Sequence, residues 1–183
     1  LDAATELLGE FGVHGFSIAD VSARCGRPPA AIIHYYKSRV GLLVAVTERL
    51  VGDRLKPFDQ SDSHNLAAGL RAVVATAIEN PARARAMATL ECSVAVPPEV
   101  QALVDGARRA WHGALCARIH AERGRARAPD EAETAAEASL IAFALSGIVL
   151  SARVPNDLQT SGERLVAAIS PPDVAVLAPA KKR

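Results

Sequence analysis

Hydroxyl and cationic side chains are concentrated between residues 17 and 39, in the stretch SIADVSARCGRPPAAIIHYYKSR. No aspartate or glutamate lies between Val21 and Thr47. The cationic residues of this acid-free window are Arg24, Arg27, Lys37 and Arg39. Hydroxyls, cations and helix N-termini are the groups that hold phosphate in proteins. The formal net charge of the whole chain is only +1, so the local pattern, and not bulk charge, indicates an anion-binding surface.

Two short helices must position these groups. Ser17, followed three residues later by an aspartate, is an N-cap signature that predicts a helix beginning there and ending at Gly26. The prolines at 28 and 29 suit only the first positions of a helix, which predicts a second helix from about Pro29 to Tyr36. Helices this short are marginal alone, so both must pack on neighbouring helices. A short helix, a glycine-containing turn and a second short helix form a helix-turn-helix, which projects its second helix outward.

Longer helices flank this unit. The first helix is predicted to end near Phe11, with Leu1, Ala4, Leu8 and Phe11 on one face and Leu7 beside it. Because no capping residue precedes Leu1, we expect the natural chain or its first helix to begin earlier. Ser38 caps a further helix that ends before Lys56. The polar segment 57–65 is predicted to connect two domains, residues 1–56 and residues 57–183.

The rest of the sequence predicts an all-α second domain. Half of the chain is hydrophobic, and apolar residues rarely alternate at period two. The predicted helices cover residues 66–79, 82–94, 99–123, 130–153 and 157–169, with a loop at 124–130 and an irregular tail from 170. The helix over 130–153 is apolar nearly all round after Ala138, so it needs a cover. A twofold mate forming a four-helix interface would cover it, and burial within one chain is the alternative.

Other functional classes have little support in the sequence. Cys25, Cys92 and Cys116 form no CxxC pair, which favours a reducing cytoplasm over a disulfide framework. His112, Cys116 and His120 share a helix face, but they span about 12 Å, too far to share one metal ion, although two of them could. We therefore predict no metal and no cofactor. The apolar run 138–152 is too short to cross a bilayer, and the sequence contains no nucleophile or phosphate-loop motif of an enzyme.

The first 50 residues resemble the DNA-binding domain of a known family. LDAATELLGEFG, then FSIADVSARCG, then IIHYYKSRVGLLVAV resembles the N-terminal domain of TetR-family bacterial transcriptional repressors. The resemblance implies a cytoplasmic homodimer that binds a palindromic operator in double-stranded DNA. It also implies a C-terminal domain that binds a small-molecule effector and dimerises.

The resemblance carries over to individual residues. Ser17 stands at the family's cap hydroxyl near a phosphate, and Tyr35 stands at its phosphate-contacting tyrosine. Arg39 stands at the family's basic residue opening helix four, and His34 matches its common histidine. The candidate DNA-binding residues are Ser17, Arg27, Pro29, Ala31, Ile33, His34, Tyr35, Lys37 and Arg39.

The predicted recognition helix departs from the family pattern. Its opening is Pro-Pro-Ala-Ala where the family shows polar residues, and Ile33 replaces a usual tyrosine. Alanine and isoleucine contact only thymine methyl groups, so we predict recognition through these methyls, Arg27, His34 and DNA shape. The alternatives are that Tyr35 and Tyr36 are packing residues, and that the chain is a helical protein-interaction module that no longer binds DNA specifically.

Bulky apolar residues on the middle helices are candidates for the effector site. They are Met87, Leu90, Trp111, Leu115 and Phe143. Such side chains commonly line ligand cavities, although side chains of this kind more often belong to the core. Their composition predicts an apolar effector.

Overall fold

The computed structural model describes residues 1–60, 65–123, 130–152 and 154–169 of the chain. These residues form ten helices and contain no strand, which confirms the predicted all-α class. The helices are α1 Asp2–Phe11, α2 Ile18–Cys25, α3 Pro29–Tyr36, α4 Arg39–Arg54, α5 Lys56–Asp59, α6 Leu66–Glu79, α7 Pro81–Cys92, α8 Pro98–Arg123, α9 Glu131–Ser151 and α10 Pro155–Ile169. The predicted tail and most of the predicted loop after α8 lie outside the described residues.

Local capping signals set the boundaries of the helix-turn-helix. Ser17 and Asp20 form a reciprocal capping box at the start of α2. Gly26 ends α2 in the left-handed conformation, with φ 66°, which glycine adopts without steric strain. Ser38 accepts a hydrogen bond from the amide of Gly41 and so caps α4. The predicted starts of these helices are confirmed.

The helix-turn-helix packs on a core that includes helices from later in the chain. From α1, this core buries Ala4, Leu7 and Leu8, whereas Phe11 is 57% exposed. The predicted apolar face of α1 is therefore buried at Ala4 and Leu8, with Leu7 beside them, whereas its end residues Leu1 and Phe11 are exposed, contrary to the prediction. The later helices α7 and α8 supply Ala86, Met87, Leu90, Val100, Val104 and Ala107 to the same core. A movement of α7 or α8 would consequently also change the packing of α1 and α4, which share this core.

The second core contains a residue of the segment predicted as a polar connection. Phe58 in α5 is 1% exposed and packs edge-to-face on Trp111, with ring centroids 4.9 Å apart. The guanidinium carbon of Arg118 lies 3.8 Å from the centroid of the Phe58 ring, and Arg118 also donates a hydrogen bond to the carbonyl of Phe58. This segment therefore contributes to the core at Phe58, a correction to the sequence interpretation. The domain boundary at residues 56 and 57 remains a prediction.

Helix α9 has one buried face and one exposed apolar face. Thr134, Ala138, Ile141 and Leu145 are buried. The opposite face, called here the α9 stripe, consists of Ala136, Leu140, Phe143, Gly147 and Leu150, all exposed. By length and composition alone α9 could span a membrane. However, its buried face belongs to the second core, and Glu137 near its start forms an ion pair with Arg123.

Candidate nucleic-acid interface and central cavity

Helix α3 packs on the first core through Ile32 and Tyr36 and presents most of its other residues to solvent. Ile32 is buried, whereas Ile33, His34 and Tyr35 are exposed, Tyr35 to 77%. The rings of His34 and Tyr35 meet edge-to-face at 5.5 Å. Tyr36 packs against the first core instead. The packing interpretation therefore holds for Tyr36 and is wrong for Tyr35. Pro29 is also exposed and Ala31 is half-buried, so the outward surface of α3 is mainly apolar with an aromatic end.

The two turns around α3 hold exposed cations. Before α3, the hydroxyl of Ser22 donates a 2.6 Å hydrogen bond to the carbonyl of Arg27, which fixes the turn while the Arg27 side chain stays exposed. After α3, Lys37 has a positive φ of 64°, and its ammonium donates a 2.7 Å hydrogen bond to the carbonyl of His34. A cation at this helix C-terminus is favoured by the helix dipole. In the described structure neither Arg27 nor Lys37 forms an ion pair.

Arg39 holds the loop between α1 and α2. Its Nε donates a 2.9 Å hydrogen bond to the carbonyl of Phe16, and its Nη2 donates another to the carbonyl of Val13. The guanidinium carbon also lies 5.2 Å from the centroid of the Phe16 ring. In this arrangement the guanidinium positions α1 and α2 relative to α4. Its contact with phosphate, implied by the family resemblance, remains a prediction.

Ser17 and Arg24 already have acidic partners. The hydroxyl of Ser17 donates to Asp20 at 2.7 Å, and this bond, with the backbone amide of Ser17, lowers the pKa of the Asp20 carboxyl. Arg24 makes paired hydrogen bonds of 2.8 and 2.9 Å to Glu10, which lower the pKa of that carboxyl. Of the four cations in the acid-free window, only Arg24 has a carboxylate partner among the described residues. Arg39 is bonded to backbone carbonyls, which leaves Arg27 and Lys37 as exposed cations without an ion pair, one at each end of α3.

The comparisons with known proteins agree with this arrangement of helices. The family model described as "Bacterial regulatory proteins, tetR family" matches residues 1–46, from α1 into α4. Residues 1–46 are therefore similar to the helix-turn-helix domain of the TetR family. No curated protein matches the chain.

Solved structures extend the TetR-family similarity to the whole fold. A TetR-family transcriptional regulator from Agrobacterium tumefaciens superposes with a TM-score of 0.76 at 20% identity, covering 91% of this chain and 95% of that one. A transcriptional regulator from Rhodococcus sp. Rha1 gives 0.70 at 19% identity, covering 92% and 93%. The regulator FadR from Bacillus subtilis, in complex with stearoyl-CoA, gives 0.65 at 13% identity, covering 92% and 97%. The described chain thus has the fold of TetR-family regulators, with a helix-turn-helix followed by a helical C-terminal part.

A cavity of about 180 Å³ is lined by residues of α4, α6, α7, α8, α9 and α10, and we call it the central cavity. Two of the candidate effector-site residues, Met87 and Trp111, line it. Leu90 and Leu115 are buried in the two cores without lining it, and Phe143 is 75% exposed on the outside of α9. The effector-site prediction for these last three residues therefore has no support from the position of the cavity.

Charged residues at the end of α4 form a wall of the central cavity that sequence reasoning missed. Arg54 pairs with Glu91 of α7 at 2.7 Å, and both side chains are largely buried. Ser146 of α9 donates a 3.0 Å hydrogen bond to the same carboxylate. Burial lowers the pKa of the Arg54 guanidinium, although Glu91 opposes that effect. The one available signal was an adjacent acid and base, Asp53 and Arg54, at the C-terminal end of α4.

Asp53 links α4 to α7 beside this wall and makes the contact acid-sensitive. It pairs with Lys56 at 2.6 Å and with Arg83 of α7, and these hydrogen bonds lower its pKa from 3.8 to about 2. Since its folded-state pKa lies below the unfolded value, its stabilising contribution is complete above about pH 4 and is lost as the pH falls through about 2.

We expect Asp53→Asn to reduce this acid sensitivity. In acid titrations followed by circular dichroism, the gap in unfolding free energy between wild type and Asp53→Asn should be constant above about pH 4 and should narrow towards pH 2. Because Asp53 is about one-third exposed, we expect a gap of no more than about 1 kcal/mol. A gap that widens as the pH falls would contradict this assignment.

The His112 and Cys116 pair predicted as a weak metal candidate lies between α8 and α9. The Cys116 sulfur is 3.6 Å from Nδ1 of His112, and Nε2 of His112 is 3.1 Å from the carbonyl of Ala135. Burial raises the pKa of the Cys116 thiol, which disfavours the thiolate that metals and oxidants require. Among the described residues, no three potential ligands converge on one point.

Proposed function

We propose that the chain is a ligand-responsive DNA-binding transcriptional regulator, probing DNA with the outward face of α3 in the major groove. The observation that supports this most strongly is the exposure of Tyr35 at 77%, in a stretch of sequence without aspartate or glutamate and on a helix that Ile32 and Tyr36 hold against the first core. An exposed aromatic hydroxyl flanked by Arg27 and Lys37 suits contacts to successive phosphates. Helix α2, the first helix of the helix-turn-helix, and helix α4 then fix the orientation of α3 on the duplex.

The apolar surface of α3 determines how this regulator distinguishes sequences. Ile33 and Pro29 are exposed on the surface of α3, where polar side chains would be needed for hydrogen bonds to base edges. We therefore propose that these two residues contact thymine methyl groups. Arg27 and His34 supply the hydrogen-bonding groups at either end of this surface. Specificity is consequently modest per base pair and depends in part on DNA shape.

The regulator acts as a homodimer joined through the α9 stripe. The stripe residues are spaced by four, three, four and three positions, the repeat that faces a partner helix in antiparallel or parallel packing. Leu140 and Phe143 are each more than 70% exposed in the single chain, which leaves a large apolar surface uncovered. A twofold dimer places two α3 helices symmetrically, and such dimers bind palindromic operators.

The central cavity is the proposed effector site. Its walls include the end of α4, whose beginning at Arg39 holds the loop between α1 and α2. An effector that displaces the end of α4 therefore changes the placement of the helix-turn-helix. FadR, which shares this fold, was solved in complex with stearoyl-CoA, and the apolar stearoyl chain of that ligand supports an effector with an apolar body here. We further propose that the protein acts in the cytoplasm as a repressor that the effector releases from DNA.

Tyr35→Ala is expected to weaken binding to every DNA sequence by a similar factor. A contact to phosphate carries no sequence information, so the loss should be about tenfold for operator and unrelated DNA alike. Fluorescence anisotropy on both duplexes measures the two losses. Tyr35→Phe, which retains the ring, separates the hydroxyl contribution from packing against His34. Unchanged binding, or a loss confined to the operator, would contradict the phosphate assignment.

A helical protein-interaction module is the second candidate, favoured by the apolar opening of α3. The salt dependence of DNA binding separates the two functions. A regulator that neutralises several phosphates loses DNA affinity by at least about a hundredfold between low and physiological salt. An interaction module shows no saturable DNA binding even at low salt.

A further inference from the structure

The central cavity has a chemical character that narrows the class of its ligand. We infer that the effector is an uncharged molecule with a short apolar body and a carbonyl-type hydrogen-bond acceptor that is bound by Arg54 and Trp111. This inference rests on the proposed effector role of the cavity and adds the chemical class of the ligand.

The charged side chains that line the cavity are equal in number and paired. In the described part of the chain, its charged lining consists of two cations, Arg54 and Arg83, and two carboxylates, Asp53 and Glu91. Arg54 pairs with Glu91, and Arg83 pairs with Asp53. A charged ligand would bring an unpaired charge into a mainly apolar space, which is strongly unfavourable. The balance therefore favours an uncharged ligand.

Two hydrogen-bond donors in the same wall lack acceptors. Nε of Arg54 and Nε1 of Trp111 are buried, and neither has a hydrogen-bond partner among the described residues. The two side chains touch, since the guanidinium carbon of Arg54 lies 5.3 Å from the centroid of the Trp111 ring. A buried donor without an acceptor is destabilising, and such groups in folded proteins commonly mark a missing partner. Each of these donors is matched by the oxygen of a carbonyl group, as in a ketone, ester or amide.

Binding at these donors requires a small movement of Arg54. Both nitrogens are buried beneath the cavity surface, so an acceptor meets them only when the Arg54 side chain shifts. Arg54 is held by Glu91 of α7, and Ser146 of α9 binds the same carboxylate. Binding of the ligand therefore requires a rearrangement of this contact between α4 and α7. An inert hydrocarbon filling the cavity would leave the contact unchanged.

The size of the cavity limits the apolar body. Cavities of roughly 150 Å³ bind molecules the size of benzene, so about 180 Å³ accepts a body of about six to ten non-hydrogen atoms. Leu50, Val74, Ala77, Met87 and Val149 surround this space with aliphatic groups. A short linear or branched aliphatic chain fits it better than a large ring system.

Three matched probes test the inference on the protein without DNA. They are a linear eight-carbon methyl ketone, the alkene in which a methylene group replaces its oxygen, and the eight-carbon carboxylate. Trp111 is the one tryptophan of the chain and lines the cavity, so its fluorescence reports binding directly. We expect the ketone to bind about tenfold more tightly than the alkene and the carboxylate, as an additional buried hydrogen bond allows. Equal binding of ketone and alkene, tightest binding of the carboxylate, or no response to any probe would overturn the inference.

A conservative variant tests the role of Arg54. Arg54→Lys keeps the positive charge opposite Glu91 but lacks Nε, so the preference for ketone over alkene should fall below about threefold. Arg49→Lys is the matched control, because Arg49 also lies in α4 but pairs at the surface with Asp2. An Arg54→Lys protein that retains the tenfold preference would refute the role of Arg54. If the ketone binds as expected while the wild type shows no saturable DNA binding, the regulator proposal fails and the ligand class stands.

Discussion

Replacing Phe143 by glutamate is expected to convert the dimer into a monomer. Phe143 lies at the centre of the α9 stripe and is 75% exposed in the single chain, so its replacement leaves the fold of each protomer intact. In a twofold interface the substitution buries one carboxylate per protomer among apolar side chains. A buried, unpaired charge costs about 3–5 kcal/mol, so the dimer dissociation constant should rise by at least about a thousandfold. Analytical ultracentrifugation over a range of concentrations measures this change.

Val94→Glu provides the control for this experiment. Val94 is also fully exposed, but it lies in the connection between α7 and α8, away from the α9 stripe. The same added charge at this site should leave the mass and the dissociation constant unchanged. A wild-type protein that is monomeric at micromolar concentration, or a Phe143→Glu protein that remains dimeric, would disprove the proposed interface.

Loss of the dimer should also reduce operator binding. In a dimer, binding of one α3 helix raises the effective concentration of the second at its half-site, which increases the overall affinity by a factor of about a hundred or more. The Phe143→Glu monomer retains Tyr35 and Arg27, so its binding to a single half-site should be close to normal. Comparison of full and half operators therefore separates an assembly defect from a defect in DNA contact.

Helix boundaries followed from the sequence because local signals determine them. Ser17, Ser38 and Asp130 each cap a helix through a bond to an amide within three residues, and Gly26 ends one by its own backbone freedom. Such signals act over a single turn, so no knowledge of tertiary contacts is needed. The predicted and observed starts of the later helices differ by no more than two residues.

Side-chain environments were harder to predict because they depend on distant parts of the chain. The exposure of Phe11 depends on how α1 rotates against α7, which periodicity alone does not determine. Arg39 could be assigned to a helix start, but its bonds to the carbonyls of Val13 and Phe16 follow from the packing of α4 against the α1–α2 loop. The cavity residues Asp53 and Arg54 were missed for the same reason, since their partners lie in α7.

Phe58→Ala is expected to destabilise the protein by about 3–5 kcal/mol, the usual cost of truncating a fully buried phenylalanine. The ring of Phe58 lies between Trp111, Arg118 and the backbone of Gly69, where a Cβ atom would come within 2.7 Å of the ring. Removal of the ring leaves a cavity, and the backbone of Gly69 cannot readily move to fill it. It also removes the aromatic surface that Arg118 covers. Urea unfolding followed by circular dichroism and Trp111 fluorescence measures the loss.

Phe11→Ala is the matched control, because the same substitution is made at a ring that is 57% exposed on α1. Its effect should stay within about 0.5 kcal/mol, as is usual for surface positions. Both variants must be compared with wild type at one protein concentration, since dimerisation contributes to apparent stability. A Phe58→Ala protein as stable as Phe11→Ala would mean that the segment after α4 is a dispensable connection, as its polar composition first indicated. A large difference between the two would show instead that Phe58 attaches the end of α4 to the second core. The end of α4 would then have a fixed attachment, and a rearrangement in the central cavity would move α4 relative to it.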